Sequence, residues 1–248
     1  MNASPLRSVL ALATTVLLAS TPSSPVDLVT RKVGPAVEGT IVGTKQGAIR
    51  VKVGNAETSI RLADVQGIKM DPPADLAKAS AELAAGDAKD AATVLQRLNE
   101  NFAGLPVPWA EQAAALLGDA RLAAGDKAGA QAAYEQFRKT YPQAIALANL
   151  GMARLAVDAG QFDEAGKLLD PMLADSAKAV LPKPQEGAAL SQAHYLMGRV
   201  CEADQDFRAA LAHYLKASAV FPFDENTVAE AQKRADALRA EHAGLIAP

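Results

Sequence analysis

The chain has 248 residues, enough for one or two domains with a sizeable buried core. Half of it is hydrophobic, but much of that is alanine and only 4% is aromatic, which argues against the bulky core of an α/β enzyme. The formal net charge of −3 argues against a nucleic-acid binder, and the single cysteine, Cys201, excludes an intrachain disulfide and a thiolate metal cluster.

At the N-terminus, MNASPLR carries one positive residue, Arg7. An apolar run, SVLALATTVLLA, follows, and then STPSSP. Positive, then apolar, then small and polar is the order of a secretory signal peptide, and the run is short for a membrane span. The expectation is a signal peptide over residues 1–24, cleaved between Ala19 and Ser24. An uncleaved anchor is the alternative. No cysteine ends the apolar run, so an exported, non-lipidated protein is expected, periplasmic in a bacterium.

Residues 25–72 have a period of two. Ile49, Val51 and Val53 alternate with Arg50 and Lys52; Ile60 and Leu62 flank Arg61; Ile68 and Met70 flank Lys69. Gly34-Pro35, Gln46-Gly47 and Gly54-Asn55 mark turns between the runs. Five short antiparallel strands forming a small closed or nearly closed barrel are predicted. The alternation and glycine placement resemble those of SH3-like and Sm-like barrels. This segment holds seven Lys or Arg against five Asp or Glu, whereas the chain beyond it holds 17 against 23. Arg50, Lys52 and Arg61 share the outer face by alternation. They form either a solvated surface or a stripe for an anionic partner, such as a cell-wall polymer or an acidic protein. Nucleic acid is disfavoured, because no surface aromatics are available to stack bases. Pro72-Pro73 ends the segment.

Residues 73–243 repeat. LGDARLAAGDKAGAQAAYEQFRKTYP (117–142) and MGRVCEADQDFRAALAHYLKASAVFP (197–222) share landmarks in one order. Gly118 matches Gly198, Ala123 matches Ala203, Asp126 matches Asp206, Ala130 matches Ala210, Tyr134 matches Tyr214, and Pro142 matches Pro222. The first glycine of each belongs where helices touch, and Gly125-Asp126 is a turn between paired helices. The turns at Gly86 and Gly160 extend the series, giving key alanines at Ala91, Ala130, Ala165 and Ala210. AVLPKPQEGA (179–188) reads as a proline-rich loop or a stretched helix end. These landmarks resemble the tetratricopeptide repeat, a helix-turn-helix unit. The resemblance implies a mostly α chain: an α-solenoid of about four such units behind the small β domain, ending in a capping helix.

Residues that could carry chemistry do not converge in the sequence. His194, His213 and His242 lack a metal-ligand spacing, and nucleophile-elbow and phosphate-loop motifs are absent. Cys201 reads as a buried, inert thiol. Neither a cofactor nor an enzymatic activity is expected. The resemblance instead implies partner binding on the inner face of the repeats, at Gln112, Asp119, Arg154, Gln192, Tyr195, Arg199 and Glu202. Tyr195 and Arg199 lie one helical turn apart and present an aromatic plane beside a cation; the plainer alternative pairs Arg199 with Glu202 on the helix surface. The function implied is an exported scaffold that holds a protein or peptide. The alternative is a cell-envelope ligand- or polymer-binding accessory, or enzyme subunit, whose β domain carries the site.

Overall fold

The computed structural model describes residues 26–176, 184–242 and 244. The signal-peptide segment lies outside the described residues, as does the AVLPK part (179–183) of the proline-rich insert. The rest of that insert, from Pro184, opens a helix.

Five strands come first: β1 (Asp27–Arg31), β2 (Val37–Lys45), β3 (Ala48–Val53), β4 (Ala56–Arg61) and β5 (Val65–Lys69). Every neighbouring pair is antiparallel, in the order β4-β3-β2-β1-β5. The β2–β3 turn holds Gln46 and Gly47 at φ 49° and 75°, and the β3–β4 turn holds Gly54 at φ 59°. Left-handed values in two-residue loops match the twist of the strands they join. Alternation then sorts the side chains. Ile49 and Val51 are fully buried and Ile60 nearly so, with Arg50 and Lys52 on the opposite face.

The sheet differs from the expected barrel in one respect: it is open. Its edge strands β4 and β5 do not pair, although a three-residue 3-10 turn (Leu62–Asp64) joins them. A barrel closes to bury its apolar face, and here helices bury it instead. Val29, Ile41, Ile49, Val51, Ile60 and Val65 share one core with Leu76, Leu95, Leu98 and Trp109. The Thr44 hydroxyl also donates to the Ala103 carbonyl at 2.7 Å, fastening β2 to the end of the second helix.

Nine α-helices follow among the described residues: α1 (Ala74–Ala85), α2 (Ala88–Phe102), α3 (Pro108–Ala123), α4 (Lys127–Thr140), α5 (Ile145–Asp158), α6 (Phe162–Ser176), α7 (Pro184–Ala203), α8 (Phe207–Leu215) and α9 (Glu225–Glu241). Each packs on its successor, and each odd-numbered helix also touches the next odd-numbered one. Even-numbered helices make no comparable contact with one another. The turns within the hairpins α1–α2, α3–α4, α5–α6 and α7–α8 pass through left-handed residues: Gly86, Gly125, Gly160 and Gln205, at φ 90°, 81°, 73° and 62°. An aspartate caps two of the helices that follow, Asp126 accepting from the Gly129 amide at 2.9 Å and Asp206 from the Ala209 amide at 3.0 Å.

Ala91, Ala130, Ala165 and Ala210 are all 0% exposed. A tyrosine ring fills the space that a side chain would take at each repeat glycine. A methyl group built on Gly118 would overlap the Tyr134 ring, and one on Gly198 would overlap Tyr214. Gly151 of α5 presses on the other side of Tyr134, so that ring sits between two glycines of successive hairpins. The core continues in two further clusters, one spanning α5–α7 and one under α8 and α9.

Candidate functional site

The residues expected to bind a partner lie along the odd-numbered helices, but three of the seven bind one another. Asp119 of α3 accepts from the Tyr134 hydroxyl at 2.6 Å and from Arg154 Nη1 of α5 at 2.7 Å. The other arm of Arg154 donates to Gln192 Oε1 of α7 at 2.7 Å. Gln192 Nε2 in turn donates to Asp224, the N-cap of α9, at 2.6 Å. A single polar ladder therefore runs from α3 to α9.

The environment of the ladder is reflected in its protonation. Burial raises the Tyr134 hydroxyl far above its ordinary value, and the neighbouring Asp119 carboxylate raises it further. For Arg154, burial acts to lower the pKa, but Asp119 and then Tyr134 outweigh it and the net shift is upward. With its side chain 28% exposed and two good partners, Arg154 is a structural cation before it is a free one.

A second polar group sits at the C-terminal end of α7. Glu202 accepts from the Tyr214 hydroxyl at 2.6 Å and pairs with Arg234 of α9 at 2.9 Å. Burial, then the bond to Glu202, raises the Tyr214 hydroxyl. The plainer alternative, a surface pair of Arg199 with Glu202, does not form; Glu202 is held by Tyr214 and Arg234 instead. Among the described residues Arg199 makes no hydrogen bond or ion pair, and it is half-buried. Tyr195, one turn before it, packs against both neighbouring cores, with its ring centre 5.9 Å from that of Tyr214. Gln112 is exposed.

On the β domain, the register puts Arg50, Lys52 and Arg61 on one face, as alternation implied. The stripe is partly neutralised. Arg50 pairs with Glu57 at 3.4 Å and Arg61 with Asp64 at 2.8 Å, leaving Lys52 exposed.

His194 and His213 meet between α7 and α8, with their Nδ1 atoms 3.0 Å apart, and His194 stacks on Phe221. Among the described residues no three His, Cys, Asp or Glu side chains gather as a metal site. Cys201 is half-buried, between the second and third cores; burial first, then Asp206 and Asp204, hold its thiol above the usual range.

Sequence reasoning missed Asp224, Arg234, Gly151 and both tyrosine hydroxyls. The recurrence of Leu-Gly at 117–118 and 150–151 was available as a signal for Gly151. The carboxylates that hold the tyrosines had none. Asp119 lies one residue after its glycine and Glu202 four after its own, so the repeat alignment does not superpose them.

No family model matches the chain, and no curated protein is similar to it.

Proposed function

We propose that the protein is an exported, non-enzymatic scaffold: tetratricopeptide-like helix pairs form a solenoid that holds a protein or peptide of the cell envelope on the side lined by the odd-numbered helices. The layer whose neighbours touch has the shorter radius, so contact among odd-numbered helices supports a curve with α3, α5, α7 and α9 inside. Among the described residues no helix is long and apolar enough to cross a membrane. Export rests on the N-terminal sequence, and an intact-mass measurement of native protein starting between residues 20 and 25 would agree with it; retained Met1 would refute it.

The observation that carries the binding reading is Arg199. A half-buried guanidinium with five donors and no partner among the described residues, beside Tyr195, is a group prepared for an external acceptor. Asp119, Arg154, Gln192 and Glu202 shape the face from beneath rather than serving as the first points of contact. Photo-crosslinkers placed at Arg199 and Gln112 should capture a partner in the envelope fraction, while one at the exposed Gln131 of α4 should not. Arg199→Ala should weaken capture by about 2 kcal/mol if it is a hot spot, with an unchanged melting temperature. Tyr195→Ala is the poorer probe, because it also strips packing from Tyr214. Equal crosslinking on both layers, or undiminished capture by Arg199→Ala, would remove this face from consideration.

A further inference from the structure

The open sheet leaves its two edge strands, β4 and β5, each with an unused side, and the one on β4 borders a charged cleft. β4 pairs only with β3, and no other element makes a comparable contact with it. In an antiparallel ladder, alternate residues turn their N–H and C=O groups toward the neighbour and the rest turn them away. The Leu62 amide donates to the Gly47 carbonyl at 2.8 Å, continuing the register in which Ile60 faces Ile49 and Thr58 faces Val51. Counting back from Leu62 in steps of two, Ile60, Thr58 and Ala56 bond inward. Glu57, Ser59 and Arg61 therefore direct both backbone groups to the free edge.

Beside that edge lies a cleft of about 380 Å³. Ile60 and Val37 give it an apolar lining, and Arg31 and Lys32, where β1 turns toward β2, line it with charge. It carries three cations, Arg31, Lys32 and Arg61, against one carboxylate, Asp64. Arg31 spends its Nε on the Pro35 carbonyl and Arg61 its Nε on Asp64, both at 2.8 Å, and the terminal guanidinium nitrogens of both make no hydrogen bond among the described residues. Lys32 makes no ion pair among the described residues and is exposed. At the other end of β4 the charge reverses, with Glu57 held by Arg50.

We propose that the β4 edge binds an extended acidic peptide as a sixth strand, its main chain on Glu57, Ser59 and Arg61 and a carboxylate side chain between Lys32 and the guanidinium groups of Arg31 and Arg61. Main-chain pairing supplies affinity, and the charged cleft selects the sequence and fixes its register. A polysaccharide polyanion would satisfy the cations but has no amide ladder to match the strand. This site is independent of the odd-numbered helices, and its failure would leave the scaffold reading untouched.

The test uses the full chain and a labelled heptapeptide, Val-Glu-Val-Thr-Val-Glu-Val, read by fluorescence anisotropy and by amide hydrogen exchange. Saturable binding should slow exchange at Glu57, Ser59 and Arg61. A Lys-for-Glu version of the peptide should bind about tenfold more weakly, and added salt should reduce the difference. Ser59→Pro removes only an outward donor, a substitution that edge strands tolerate, and should cost about tenfold in binding with an unchanged circular dichroism spectrum. Lys32→Ala, on an exposed side chain, should also weaken binding and flatten its salt dependence. The proposal is overturned by no saturation, by equal binding of the Glu and Lys peptides, or by indifference to Ser59→Pro and Lys32→Ala together. Polygalacturonate binding where the peptide does not would assign the cleft to a polymer. A concentration-dependent dimer abolished by Ser59→Pro would assign the edge to a second copy.

Discussion

Tyr134 shows how much of this fold depends on residues that lack a side chain. Its ring occupies the space left by Gly118 and Gly151, while its hydroxyl ends on Asp119. In an ordinary helix interior, glycine to alanine gains about 1 kcal/mol. At Gly118 the added methyl meets the ring, and overpacking of this kind costs about 1–3 kcal/mol. Gly118→Ala should therefore destabilise the protein in chemical denaturation. Gly166 of α6 is the control: a methyl there comes no nearer than 3.7 Å to Val200, so Gly166→Ala should stabilise. A stabilised Gly118→Ala would mean that the ring can move aside. Much at this scale was legible in the sequence. The four key alanines and the glycine turns could be placed because packing against a neighbour demands small size at a fixed offset. The partners of the tyrosine hydroxyls were not legible, since a hydrogen bond requires a distance in space and tolerates several sequence offsets.

Among the helices, α7 and α8 carry the clearest pH sensitivity. His194 is only 4% exposed; burial, then His213 and Lys216, depress its pKa to about 4 from an ordinary 6.5. His213 is also depressed, by burial and then Lys216, with Asp170 of α6 opposing. A base whose folded pKa is lowered binds fewer protons folded than unfolded. Its stabilising contribution is complete above about pH 6.5 and is lost as pH falls toward about 4. The melting temperature should therefore drop between pH 7 and pH 5, before most carboxylates titrate. His194→Phe, which keeps the stack on Phe221, should flatten that slope; an unchanged slope would place the sensitive group elsewhere. The pairing of these helices was readable from the repeat, and so was the fact that both histidines fall on one pair. Their contact was not, because it depends on rotamers that the repeat period does not set. The open sheet was unreadable for a related reason. Alternation identifies an apolar face but not what covers it, and here helix side chains do so before the strands need to close.

For the whole molecule, the question is whether three separate cores melt together. Helix α5 is where the first two meet, since Ala148 belongs to one and Leu150 to the other. Arg154 on the same helix links Asp119 behind it to Gln192 ahead. Arg154→Ala strands partly buried polar groups on both sides, at a cost of about 1–3 kcal/mol each for those left unsatisfied. It should also uncouple the halves. Trp109 is the sole tryptophan and lies in the first core, so its fluorescence reports that core while far-UV circular dichroism reports all helices. In the parent the two denaturation curves should coincide; in Arg154→Ala the dichroism curve should begin at lower denaturant. Coincident curves in the variant would show that apolar packing alone does the coupling.

The ladder from Asp119 through Arg154 and Gln192 to Asp224 also has a mechanical meaning. Its bonds of 2.6–2.7 Å tie α3, α5, α7 and the start of α9 together along one side of the stack. The even-numbered helices on the other side lack comparable contacts with one another. Flexing that opens the tied side must stretch several short bonds at once, whereas flexing that spreads the untied side stretches none. On the curve we propose, with the odd-numbered helices inside, the helical array should behave as a leaf spring bonded on one surface, stiff against straightening and compliant toward tighter curling.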